Sequence, residues 1–150
     1  MKVVIQRVNK SSVEIDGKIH NTINKGLLIL LGIEEKDNTE DIIWLCSKIA
    51  RLRIFNDNEG VMNLSVTDVG AEILLISQFT LHSSTKKGNR PSYTKAARPE
   101  TAISLYNDFA EQLSITCNKT VKTGIFGTYM KVMLENDGPV TIIIDTKNKE

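Results

Sequence analysis

A glycine–proline pair near the carboxyl end of the chain restricts the fold more than any other dipeptide in the sequence. Gly138 and Pro139 stand between two runs with strong β-strand character, residues 130–134 and 140–144. Because proline has no backbone N–H and glycine has no side chain, neither residue suits the interior of a paired central strand. The pattern predicts either a tight turn at the start of the second strand or a place where bare backbone faces a ligand.

The first third of the chain is typical of antiparallel β-structure. Residues 3–15 predict an opening strand with an irregularity around residues 9–12. Asp-Gly at positions 16–17 is a strong two-residue hairpin signal, and residues 18–22 would form the returning strand. Residues 27–31 are uniformly apolar, which indicates a strand that is buried on both faces.

Two segments have the apolar spacing of amphipathic helices. Asp37 and Glu40 have the spacing of a capping box at the start of the first helix, and Pro99 suits the first turn of the second. The buried stripe of the first helix would consist of Ile42, Leu45, Ile49 and Leu52. That of the second would consist of Ala102, Leu105, Tyr106, Phe109 and Leu113.

The remaining apolar segments favour strands, among them residues 73–81 and the end of the chain. A chain of 150 residues is long enough to bury a substantial core within one domain. We therefore expect an α+β fold in a single domain covering residues 1–150, with a compact β-barrel-like or two-sheet core and two covering amphipathic helices.

Composition excludes several classes of function. The net charge of +1 gives no global signal for nucleic acid, so such a signal must be local. The chain has no P-loop, no dinucleotide fingerprint and no cluster with metal-ligand spacing, so no cofactor and no metal are expected. Cys46 and Cys117 are far apart, and Cys46 lies on the apolar side of a helix as a reduced thiol would. The amino-terminal residues have no signal-peptide character, so we expect a cytoplasmic protein without a membrane span.

The segment Ser-Gln-Phe-Thr at residues 77–80 is placed where chemistry is often found, at the end of a predicted strand. Ser77 or Thr80 could act as a nucleophile only with an adjacent base, and neither histidine of the chain stands in a Ser-His-Asp context. The backbone N–H groups near Gln78 and Phe79 offer a different mechanism, because they could donate to a developing oxyanion without any base.

A basic stretch follows directly. Residues 82–98 contain no acidic residue and many residues that favour loops. The stretch is either a solvated flexible loop or a surface for a phosphate-bearing partner, and its position beside residues 77–80 favours the partner. Its cations are Lys86, Lys87, Arg90, Lys95 and Arg98.

Three motifs in this order resemble the D-aminoacyl-tRNA deacylase family. They are Val-Ile-Gln-Arg-Val at residues 4–8, Ser-Gln-Phe-Thr-Leu at 77–81 and Asn-Asp-Gly-Pro-Val-Thr at 136–141. The similarity also extends through residues 53–55, 62–64 and 88–92, so it covers nearly the whole chain. The tail after Asp145 is idiosyncratic, and we expect it to be dispensable.

The resemblance implies a homodimer that hydrolyses the ester between a D-amino acid and the 3′ end of tRNA. It implies that Gly138–Pro139 is a cis peptide inserted into the active site of the partner subunit, where its carbonyl groups would exclude an L-side chain. Achiral glycine mischarged on tRNA-Ala could also be accepted. Arg7 would brace this motif.

Ser77, Gln78, Phe79 and Thr80 would hold the substrate's ester and amino group. Thr80 would position the substrate, and the ribose 2′-hydroxyl would assist attack by water. Two other interpretations of the residues stay open, namely a non-catalytic RNA-binding module and a conventional serine or threonine hydrolase.

Overall fold

The computed structural model describes residues 1–149 of the chain, and these form one mixed α+β unit. Its helices are α1 (Thr39–Ala50) and α2 (Pro99–Cys117), with a 3-10 turn at Phe79–His82. Its strands are β1 (Lys2–Ile15), β2 (Lys18–Ile23), β3 (Gly26–Gly32), β4 (Phe55–Asn56), β5 (Met62–Leu64), β6 (Glu72–Ser77), β7 (Lys122–Thr123) and β8 (Lys131–Asp145). Within the described part, no helix is both long and apolar enough to cross a membrane.

One sheet forms nearly the whole architecture. Its strands follow the order β2-β1-β3-β6-β7, and β8 pairs with β1 as well. The pairs that involve β1 are antiparallel, whereas β3, β6 and β7 run parallel to one another. The sheet is nearly closed and barrel-like, and β4 and β5 form a second small sheet. This confirms the predicted fold class, and positive φ angles at Asp16 and Gly17 confirm the predicted hairpin turn.

The core lies between the central strands and the two helices. β3 and β6 are buried over most of their length, as a parallel pair covered on both faces requires. The predicted apolar stripes of both helices face this core, but α1 ends at Ala50, so Leu52 packs against the core from beyond the helix. Cys46 is a free, buried thiol, as expected, and burial raises its pKa to about 12.

The cap of α1 lies one residue later than the spacing of Asp37 and Glu40 predicts. Asn38 is the N-cap, and its side chain and that of Asp41 form the reciprocal hydrogen bonds of a capping box. Asp37 is unavailable because its buried carboxylate pairs with the amino group of Met1. Because Asp37 is held in this long-range ion pair, the N-cap lies one residue further along the chain, at Asn38.

The strand predicted over residues 73–81 is also shorter than expected. β6 ends at Ser77, and the chain turns into the 3-10 turn at Phe79–His82. The amide of Leu81 donates to the carbonyl of Gln78 at 3.3 Å, which is the i to i+3 bond of that turn. Because the turn also contains apolar residues, the apolar pattern that predicted the strand continues past the point where the strand ends.

β8 is a single strand that contains the Gly138–Pro139 pair, rather than two separate strands. Gln6 pairs with Thr141 and Val8 pairs with Asn136, so residues 137–140 bulge out opposite Arg7. Proline has no amide hydrogen for the ladder, and Gly138 has a φ of 132°, which a side chain would disfavour. The bulge carries the pair away from the sheet while the ladder continues on both sides.

Candidate active site

The 3-10 turn at the end of β6 is held by a backbone hydrogen bond and by close packing. The amide of Gln78 donates to the carbonyl of Leu31 at 2.7 Å, which extends the parallel pairing of β3 and β6 by one residue. A Cβ atom placed on Gly32 would lie 3.0 Å from the carbonyl oxygen of Gln78 and 3.0 Å from the Cβ atom of Leu81. The turn therefore rests directly on the end of β3.

This arrangement decides which amides can act on a substrate. The amide of Gln78 donates to the carbonyl of Leu31, so among the N–H groups near Gln78 and Phe79 it is not a free donor. Phe79 and Thr80 occupy the first two positions of the turn, where an amide has no acceptor within the helix. Phe79, one of the two residues named from the sequence, therefore has a free amide, and Thr80 provides the next one.

A pocket of about 590 Å³ opens beside the turn. Ser77, Gln78 and Phe79, three of the four candidate site residues at this strand end, line it, whereas Thr80 is not among its lining residues. The ring of Phe79 is 56% exposed and meets that of Tyr93 edge-on, with 5.0 Å between the centroids. The rest of the wall is mainly apolar and small side chains, including Leu31, Ile33, Ile76, Ala96, Ala97, Pro99, Ala102 and Val132.

Sequence reasoning missed the wall that residues 126–130 contribute to the pocket. The ring of Phe126 packs against Tyr106 with 5.8 Å between centroids, and the hydroxyl of Tyr106 donates to the carbonyl of Leu75 at 2.8 Å. Glycines at positions 124 and 127 were the available signal, since they mark an irregular segment between strands. The local sequence, however, gives no indication that this segment packs beside residue 77.

Neither histidine of the chain is placed to act as a base for the hydroxyl groups of the site. Thr80 accepts a hydrogen bond from the Nε2 atom of Gln78 at 2.5 Å, and this amide cannot take a proton. The buried ring of His82 points its Nδ1 atom towards Glu34, 3.9 Å away. His20 lies exposed on β2. Within residues 1–149, no histidine is hydrogen-bonded to Ser77 or Thr80, which argues against a serine or threonine hydrolase.

Arg7 holds the bulge of β8 from beneath. Its Nε atom lies 3.1 Å from the carbonyl oxygen of Asp137 and 3.1 Å from the Oδ2 atom of that residue. Its Nη1 atom donates to the carbonyl of Ile54 at 2.7 Å. The side chain is only 8% exposed, although it carries a full charge.

The bulge itself presents backbone to the outside. The peptide bond between Gly138 and Pro139 is cis, and both residues are exposed. Arg7, Gly138 and Pro139 are not among the residues that line the pocket of their own chain. Within this single chain, the two predicted groups of site residues are therefore separate.

The basic loop runs beside the pocket. Its own hydrogen bonds join Ser84 to Ser92, and its end is attached to the chain before α1 through Ala97 and Arg98. In the described residues, none of its five cations has an acidic partner within ion-pair distance, and all are exposed or half-buried: Lys86, Lys87, Arg90, Lys95 and Arg98. The same residues hold no cluster of side chains suited to a metal ion.

Comparison with known proteins gives a consistent result. The family model described as D-Tyr-tRNA(Tyr) deacylase matches residues 4–145. The chain is 65% identical to a D-aminoacyl-tRNA deacylase of Flavobacterium psychrophilum and 63% identical to one of Bacteroides fragilis strain YCH46, and each alignment covers all of both chains.

Two solved structures share the fold. One, named c-Myc DNA Unwinding Element Binding Protein, is 42% identical with a TM-score of 0.93, over 97% of this chain and 99% of that one. Another, described as a probable eukaryotic D-amino acid tRNA deacylase, is 15% identical with a TM-score of 0.81, over 95% and 97% of the two chains. By the extent of its match to the family model and its identity to the curated relatives, the chain belongs to the D-Tyr-tRNA(Tyr) deacylase family of enzymes.

Proposed function

We propose that the chain hydrolyses the ester bond of D-aminoacyl-tRNA in the cytoplasm and releases the free D-amino acid and tRNA. The observation that carries this proposal is the position of the turn. Phe79, which lines a mainly apolar pocket, and Thr80, which follows it in the turn, offer free amides, and an acid-free basic loop comes next in the chain. An activated ester with a polyanionic leaving group matches that combination.

The chemistry relies on placement and electrostatics. The amides of Phe79 and Thr80 would stabilise the negative charge that develops on the ester carbonyl oxygen. The side chains of Ser77 and Gln78 would hold the ester and the amino group, and Thr80 would position Gln78 through their hydrogen bond. Water would attack with assistance from the ribose 2′-hydroxyl, which supplies the proton relay that no protein side chain offers here.

Selection for the D-hand would come from backbone alone. The carbonyl groups of Gly138 and Pro139, held from beneath by Arg7, would occupy the space that an L-side chain needs. A D-side chain would point elsewhere, and glycine mischarged on tRNA-Ala would also fit. Only steric exclusion is required, so no side chain need recognise the amino acid.

The proposal needs two subunits, because this bulge and the pocket are separate in one chain. In a homodimer, Gly138 and Pro139 of one subunit would enter the pocket of the other. The surface beside the bulge favours such a contact, since four large apolar side chains there and on β2 are 40–67% exposed. They are Ile19, Met133, Leu134 and Ile143.

A second candidate is a nucleic-acid-binding module without catalysis, acting through the basic loop. The five unpaired cations favour it, as does the solved relative at 42% identity, whose name is that of a DNA-binding protein. Such a module would bind uncharged RNA with strong salt dependence and leave the ester intact.

Incubation with D-Tyr-tRNA and L-Tyr-tRNA in parallel decides between these functions. We expect rapid loss of the D-ester and a background rate for the L-ester. Equal rates for both would refute the selection mechanism. Binding without hydrolysis of either ester would favour the second candidate.

A further inference from the structure

A second basic surface lies on the exposed side of α1, away from the pocket and from the basic loop. An open groove of about 500 Å³ follows the second half of the helix and the residues after it. We call it the Trp44 groove, and it is lined by Ile43, Trp44, Ser47, Lys48, Arg51, Leu52 and Arg53. The lining contains three cations and no acidic residue.

The indole of Trp44 lines this groove, and two ammonium groups lie over its ring. The Nζ atom of Lys48 lies 5.5 Å from the centre of the ring, and that of Lys149 lies 4.6 Å from it. The ring is half-buried against the core, so its orientation is set by packing. A fixed aromatic face among cations is the combination that binds single-stranded nucleic acid, where a base stacks and phosphates meet the charges.

The cations of the groove are available to a ligand. The guanidinium of Arg51 donates only to Ser47, and the Nε atom of Arg53 donates to the carbonyl of Asn63 at 2.8 Å. In residues 1–149, neither these arginines nor Lys48 and Lys149 have an acidic partner within 4.0 Å. The pKa of the Asp68 carboxyl is lowered mainly by the hydrogen bonds of Asp68 with Ser65. The charge of Arg53 adds a smaller lowering from longer range.

The groove is also connected to the bulge of β8. Ile54, which follows Arg53, provides the carbonyl that accepts the Nη1 hydrogen bond of Arg7. The basic loop is attached near the opposite end of α1, at Glu35. The basic loop is thus attached before the first residue of α1, whereas the groove follows the second half of that helix.

From these contacts we propose that the Trp44 groove is a second tRNA-binding site, which stacks an unpaired nucleotide on Trp44 and holds the adjoining phosphates with Lys48, Arg51 and Arg53. The inference rests on the proposed tRNA substrate and assigns it a contact outside the pocket. The groove contributes to binding of the polynucleotide and has no part in the reaction at the ester.

Two variants test the site. Trp44→Leu keeps an apolar side chain against the core but removes the stacking face, and the double variant Lys48→Gln, Arg51→Gln removes two charges from the surface. The matched control is Lys18→Gln, Lys36→Gln, which removes two exposed charges elsewhere. Circular dichroism and thermal unfolding establish that all variants are folded.

Binding of uncharged tRNA is measured against salt concentration. We expect Trp44→Leu to weaken binding about fivefold or more, as loss of one stacked base does. The Lys48, Arg51 double variant should reduce the slope of log K against log salt by about 1.4, or about 0.7 for each lost phosphate contact. The control pair should retain the original slope.

Kinetics separate this inference from the proposed function. Both groove variants should raise KM for D-Tyr-tRNA and leave kcat unchanged, and their kinetics with D-tyrosyl-adenosine should match those of the unaltered protein. Unchanged tRNA affinity and KM would overturn the inference, as would an equal effect of the control pair. The inference would also be overturned if an acidic peptide displaced tRNA as effectively as a CCA oligonucleotide does. A failed proposed function would appear differently, as absence of hydrolysis by the unaltered protein.

Discussion

Arg7 and Asp137 are joined twice, because the Nε atom of Arg7 lies 3.1 Å from both the carbonyl oxygen and the Oδ2 atom of Asp137. This contact fixes the residue immediately before Gly138. A guanidinium suits the task, since its planar set of donors can serve Asp137 and the carbonyl of Ile54 together. The position of the exposed backbone thus depends on a buried side chain of a different strand.

The first prediction follows from these hydrogen bonds of Arg7. Arg7→Lys keeps the charge but cannot make the same set of hydrogen bonds, so it should lower the free energy of unfolding by about 1–3 kcal/mol. It should also raise the rate of L-Tyr-tRNA hydrolysis relative to D-Tyr-tRNA, because the carbonyl groups of the bulge lose their support. Urea unfolding and paired rate measurements test it, with exposed Lys10→Arg as control; an unchanged D to L ratio would contradict the bracing role.

Gly138→Ala should disrupt the bulge. A Cβ atom at this position would lie 2.7 Å from the Cγ2 atom of Val140 and 3.2 Å from the Nη2 atom of Arg7, and the φ of 132° disfavours any side chain. We expect loss of most D-Tyr-tRNA hydrolysis, because a displaced bulge would obstruct the pocket that it is proposed to enter. Gly60→Ala is the control, because it has a positive φ of 81° but open space around it. Full activity of Gly138→Ala would rule out a role for this backbone in the site.

Thr80→Ala should retain substantial turnover. The hydroxyl of Thr80 accepts a hydrogen bond from Gln78, and no base is placed to activate it. Loss of that bond should cost no more than about tenfold in kcat, because a single neutral hydrogen bond contributes about 1 kcal/mol. Single-turnover rates on D-Tyr-tRNA test this. Abolished hydrolysis with intact tRNA binding would show that the hydroxyl takes part in the chemistry.

Asp41 should make the free energy of unfolding depend on pH in the acidic range. Burial opposes its ionisation, but hydrogen bonds from Lys147, Thr146 and the amide of Asn38 outweigh that effect and hold its pKa below the ordinary value. A lowered folded-state pKa contributes stability that is fully present above the unfolded pKa of about 4 and is lost as pH falls through the folded value. The difference in unfolding free energy between the unaltered protein and Asp41→Asn should therefore be constant near neutral pH and shrink below about pH 4. Urea unfolding across that range measures it, and a difference that grows in acid would contradict the assignment.

The carboxyl-terminal tail should contribute to stability, contrary to the expectation from its sequence. The hydroxyl of Thr146 accepts a hydrogen bond from the amino group of Met1 at 2.7 Å, and Lys147 contacts Asp41 at 2.7 Å. Removal of all residues after Asp145 takes one partner from the Met1 amino group, which keeps Asp37, and one from Asp41, which keeps the amide of Asn38. It should lower the unfolding free energy by about 1–3 kcal/mol. Truncation after Lys147 is the control and should have little effect. Equal stability of both truncations would mean that the tail is dispensable.

The sequence predicted the elements whose signals are local. The Asp16–Gly17 turn depends on two adjacent residues, and the apolar stripes of α1 and α2 depend on residues within a few turns of one helix. Where a distant group intervened, local signals failed. Asp37 does not cap α1 because its carboxylate pairs with the amino group of Met1. The amide of Gln78 is not a free donor because it donates to the carbonyl of Leu31.

The sequence by itself also determined which residues carry the proposed chemistry: Ser77 to Thr80 at one strand end, a cation-rich loop after them, and a glycine and a proline that give up side chains. Only the tertiary structure decided that Arg7 contacts Asp137 beside Gly138, that residues 126–130 line the pocket, and that, within residues 1–149, no histidine is hydrogen-bonded to Thr80. Local spacing is encoded in the covalent chain, whereas these relations depend on the pairing of β1 with β8 and β3 with β6, which brings together residues far apart in sequence.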